Sequence, residues 1–89
     1  MINIEYKSKR SNQYELQVRS IISTLLYSED VEGAANGFEH DINKLSRSST
    51  VAPADCYKLE WAEDRKSFTV WHRKPDGEKD RIVAVVSNK

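Results

Sequence analysis

The last third of the chain holds a succession of strand-like runs separated by turn signals, which confines it to an antiparallel sheet. Tyr57–Trp61, Ser67–Arg73 and Arg81–Val86 are rich in β-branched and aromatic residues. Between the second and third runs, Lys74-Pro75-Asp76-Gly77-Glu78 predicts a tight hairpin turn. Proline presets φ at the first turn position and glycine accepts a positive φ. The earlier turn, Glu63–Lys66, is polar and lacks glycine, so its type stays open. On the middle run, Phe68, Val70 and His72 point one way and Thr69, Trp71 and Arg73 the other.

Upstream, Ile2, Ile4 and Tyr6 alternate with polar residues as a short half-buried strand. Asn12 and Glu15 have capping-box spacing, with Ser11 an alternative cap. Tyr14, Val18, Ile21, Ile22, Leu25 and Leu26 then form a helical stripe. Ser28–Asp30 breaks that pattern and offers Ser28 or Asp30 as a new cap. Val31, Ala34, Ala35, Phe38, Ile42 and Leu45 form a second stripe. Whether the first helix ends near Tyr27 or bends into the second stays open. Gly33 and Gly37 weaken the second helix by roughly 1 kcal/mol each relative to alanine, and their spacing suits close approach of a neighbouring backbone. Ser46–Ala54 is a small-residue crossing loop.

These elements give a single domain over residues 1–89, an α+β two-layer sandwich of order β-α-α-β-β-β. The meander carries the N-terminal strand at an edge and the helices on one face. Tyr57, Leu59, Trp61, Phe68, Val70, Ile82, Ala84 and Val86 are expected to face the helices, with Val83 and Val85 outside near Trp71. The last run is apolar at every position from Ile82 to Val86, so its valines could instead point inward and its register is open.

Composition excludes several function classes. Fourteen basic and fourteen acidic residues give zero formal net charge, which suits neither an acidic nucleic-acid mimic nor a binder relying on bulk phosphate attraction. The portion after Leu45 is basic by only two charges, nine against seven. The lone Cys56 excludes an internal disulfide and fits a reducing cytoplasm. The start of the chain lacks a signal pattern, and no apolar run reaches membrane-spanning length.

Catalytic and metal motifs are sparse. His40, His72 and Cys56 have none of the usual zinc-ligand spacings, so no metal or cofactor is expected. Cys56 and His72 are a conceivable nucleophile and base, yet nothing nearby in sequence offers an oxyanion hole, and Cys56 reads more simply as a small apolar filler. The carboxylates of the two turns read as solvated.

The surface of the meander is what remains. Lys58, Thr69, Trp71, Arg73 and Arg81 are the candidate binding surface, because tryptophan beside arginine on a polar face is the composition of interface hot spots. The plainer alternative is that Trp71 lies under a loop, or that Arg73 covers its ring through a cation–π contact. The expected function is a small cytoplasmic protein-binding module, an adaptor, inhibitor or regulator, with a bacterial or phage mobile-element inhibitor as a special case. Its partner would be another protein or a second copy of itself. The alternative is a nucleic-acid binder using this slightly basic sheet with Lys7, Lys9 and Arg10.

Overall fold

A computed structural model describes residues 2–8, 13–48 and 56–89. The sequence runs through strand β1 (Ile2–Tyr6), helix α1 (Gln13–Thr24), a 3-10 turn (Leu25–Tyr27) and helix α2 (Val31–Ser48). Strands β2 (Tyr57–Trp61), β3 (Ser67–Arg73) and β4 (Lys79–Asn88) follow. The strands form one four-stranded antiparallel sheet in the order β1-β4-β3-β2, with the first strand at an edge. Both helices contribute to a core over one sheet face, the α+β sandwich expected from the sequence.

The helices obey their stripes until α1 ends. Val18, Ile22 and Leu25 are buried against Phe68, Val70, Ala84 and Val86 of the sheet. At Leu25 the winding tightens to a 3-10 turn, and Leu26 swings out to solvent instead of joining the core. Ser28 is extended, so α1 and α2 are separate helices. Asp30 is the cap of α2, its carboxylate accepting from Gly33 N at 2.9 Å. Asn12 and Ser11 lie outside the described residues, as does the crossing loop from residue 49 to 54. Gly33 and Gly37 do not admit a neighbouring backbone; a Cβ on Gly37 would meet only Leu25 Cδ2, at 3.6 Å.

The two hairpin turns share one design. Gly77 N donates to Lys74 O and Arg65 N to Ala62 O, at 2.8 and 3.0 Å. In each, an aspartate carboxylate (Asp76 or Asp64) accepts from the backbone two residues on. Gly77 takes φ +91° freely, whereas Arg65 takes φ +57° against its Cβ. Arg65 lies over the Trp61 ring, 4.2 Å from its centroid, and that contact offsets the backbone cost.

Strand β4 departs from simple alternation. Val70 pairs with Ala84, but Trp71 pairs with Ile82, so Val83 is a bulge. Val83 is fully buried, contrary to its expected outward position. Its carbonyl accepts from Lys7 N and Ser8 N, at 2.8 and 3.3 Å. The extra residue reverses the phase of everything before it. Ile82 therefore moves to the Trp71 face, not the helix face, and Arg81 moves to the helix face. A second shift at Asp80 restores the phase, so Lys79 pairs with Arg73 on the Trp71 face.

Candidate functional site

Among the described elements, none packs on the sheet face opposite the helices. Its levels follow from the register. Glu5, Val85, Thr69 and Glu60 lie side by side across β1, β4, β3 and β2; Ile82, Trp71 and Lys58 form the next level, and Lys79 with Arg73 the one beyond. At the centre, Trp71, Thr69, Ile82 and Val85 are half-buried, while Lys58, Glu60 and Lys79 at the rim are exposed. Apolar centre and charged rim are the anatomy of a protein interface.

Lys58, Thr69, Trp71 and Arg73 thus share one face. Arg81 does not, because the Val83 bulge turns it to the other side. The Trp71 ring is covered by Lys79, whose ammonium sits 4.7 Å from the centroid; Arg73 has other partners. Arg73 donates to Gly77 O at 2.7 Å and reaches Glu60 at 3.4 Å, and Lys79 donates to the same carboxylate at 2.9 Å. Glu60 and Lys79 were not among the sequence candidates. Glu60 follows from simple alternation with Lys58 on β2, whereas the position of Lys79 depends on the second register shift, which leaves no mark in the sequence.

On the helix side Arg81 enters a polar cluster. Glu15, fully buried on α1, is the hub. Its carboxylate accepts from Arg81 Nη2, from Ser8 Oγ at 2.5 Å and from Tyr57 Oη at 3.4 Å. Arg81 Nη1 donates to Asp80 at 2.7 Å, and His72 Nδ1 lies 2.8 Å from the same oxygen. Arg81 Nη1 also lies 3.1 Å from His72 Nδ1, so this ring nitrogen sits between a carboxylate and a guanidinium. The Tyr57 and His72 rings meet edge to face at 4.9 Å.

The electrostatics follow from this packing. Burial pushes the Glu15 carboxyl up, but bonds from Ser8 and Arg81, with the charges of Arg81 and Arg19, hold it below its ordinary value. The His72 bond, with help from Arg81, outweighs desolvation to hold Asp80 low. Desolvation works against the Arg81 charge, but Glu15 and Asp80 raise its pKa. Burial and the Glu15 charge push the Tyr57 phenol up to about 12. The cluster ties the segment after β1 to α1, β2, β3 and β4, with the carboxylates of Glu15 and Asp80 bonded and Arg81 Nε buried without a hydrogen-bond partner among the described residues.

No hydrogen bond joins Cys56 to His72 among the described residues, and no three His, Cys, Asp or Glu side chains there gather as metal ligands. Among the same residues no helix is long and apolar enough to cross a membrane. A second apolar surface lies between the helices, an open groove of about 410 Å³ along Leu16, Ile21 and Leu45. Among the described residues its lining has neither an aromatic anchor nor a charged side chain. No protein-family model, curated protein or solved structure matches this chain, so a functional reading rests on the geometry of these surfaces.

Proposed function

We propose that this chain is a small non-enzymatic protein-binding module, an adaptor, inhibitor or regulator of a cytoplasmic partner, that docks through the open face of its sheet. The observation that carries this reading is Trp71 beside Arg73 on a sheet face the helices leave uncovered. Tryptophan and arginine are the side chains that most often dominate binding energy, because each combines a large contact area with a directional polar group. The Lys79 cation on the indole is an exposed contact of roughly 0.5–1 kcal/mol, weak enough for a partner to displace.

The ion pairs favour protein over nucleic acid. Glu60 already engages Arg73 and Lys79, so these cations have less free charge for a phosphate backbone. The test is affinity capture from extract of the source cells with wild type, Trp71→Ala and Arg73→Ala. The expected result is a protein retained by wild type and lost by both variants. Equal retention by all three would remove this face from the function. Salt-sensitive shifts of mixed oligonucleotides would favour the nucleic-acid alternative instead.

A further inference from the structure

The charge pattern of the open face is complementary to itself, and we infer that its partner is a second copy of this chain, stacked sheet to sheet with strands antiparallel. The inference rests on the docking role of this face. Two neighbouring levels carry it. One has glutamates at both ends, Glu5 on β1 and Glu60 on β2, with Val85 and Thr69 between them. The next has Lys58 on β2, Trp71 and Ile82, and Lys7 just beyond β1, where its amide bonds the Val83 carbonyl.

Two sheet faces related by a two-fold axis must share an axis lying in the plane between them. Set perpendicular to the strands and between these two levels, the axis lays each level over the other. Glu60 then exchanges its exposed pairs with Arg73 and Lys79 for Lys58 of the second copy, Glu5 exchanges its own Lys7, bonded at 2.7 Å, for Lys7 of the second copy, and Val85 and Thr69 meet Ile82 and Trp71. The cations Arg73 and Lys79 fall over the level of Ser67, Ser87 and Asn3, which carries no charge. Turning the axis parallel to the strands would set Glu5 against Glu60 and oppose like charges. The pattern therefore selects one arrangement. It also sets the strength: four strands of about seven residues cover about 450 Å² per copy, below the 800 Å² of a standard interface. The dimer is accordingly weak, forming at micromolar concentrations or above.

The symmetry supplies the test. Each copy presents both Lys58 and Glu60, so Lys58→Glu opposes acid to acid in its homodimer and Glu60→Lys opposes base to base. Mixed one to one, the two variants form only opposite-sign pairs. Sedimentation of full-length protein from about 10 to 500 µM spans the weak range. The expected results are a wild-type mass rising toward twice the monomer, monomers for each variant alone, and recovery of the dimer in the mixture. Far-ultraviolet circular dichroism confirms that both variants are folded. A wild type that stays monomeric, single variants that dimerise like wild type, or a mixture that stays monomeric would each overturn the inference. If wild type is monomeric and Trp71→Ala still abolishes capture of another protein, the dimer falls and the docking face stands. If Trp71→Ala alters neither self-association nor capture, both fall.

Discussion

The two faces of the sheet use the same kinds of charged groups for opposite ends. On the covered face, Arg81 meets a glutamate that solvent does not reach, and Ser8 and Tyr57 donate to the same carboxylate. On the open face, Arg73 and Lys79 share Glu60 in water, with all three side chains at least 30% exposed. A buried pair is costly to assemble and more costly to half-remove, because the orphaned charge cannot be resolvated. An exposed pair contributes little and exchanges readily. The covered face is therefore committed to holding the fold, while the open face can trade its pairs for those of a partner.

That contrast breaks first at Glu15. Glu15→Ala leaves Arg81 partly buried without its main counter-charge, and urea denaturation should show a loss of about 3–5 kcal/mol. A loss below about 1 kcal/mol would mean the cluster behaves like a surface pair.

Alkaline titration sharpens the same comparison. The folded chain holds Tyr57 neutral to about 12, above its ordinary 10.0. The contribution of this group is complete below pH 10 and is lost as pH rises through about 12. The total is about 2–3 kcal/mol, since each pKa unit corresponds to about 1.4 kcal/mol. Tyr57→Phe should abolish this part of the pH dependence of unfolding. The acid limb has the opposite sign: Glu15 and Asp80 are held low, so their contributions are present above the ordinary carboxylate values and fade as pH falls below them.

Glu60→Gln is the smallest expected effect on stability. It removes the negative charge shared by Arg73 and Lys79 and one of the two acceptor oxygens, and the unfolding free energy should change by less than about 1 kcal/mol. A change as large as that of Glu15→Ala would erase the distinction between the faces.

The sequence makes some of this contrast legible and hides the rest. Phe68, Val70 and Trp71 sort correctly because β3 keeps an unbroken period of two against β2, and the Pro75-Asp76-Gly77 turn carries its own backbone chemistry. Strand β4 offers no such guide. Its apolar run satisfies either face, so a one-residue bulge at Val83 can invert Ile82 and Arg81 unnoticed. Glu15 reads locally as a capping residue; its use as a buried counter-charge needs Arg81, 66 residues away. Leu26 fits the helical stripe until the turn tightens, a change of period that tertiary packing imposes.

Phe68 and Trp71 stand on one strand, three residues apart and on opposite faces, so replacing each with alanine separates holding from docking. The most direct measurement is the concentration-dependent sedimentation of Trp71→Ala, with its urea midpoint read alongside that of Phe68→Ala. The expected outcome is a folded protein that stays monomeric where wild type associates, and that loses well under the roughly 3–5 kcal/mol typical of a buried Phe→Ala change. A Trp71→Ala protein destabilised as much as Phe68→Ala, with self-association equal to that of wild type, would contradict it.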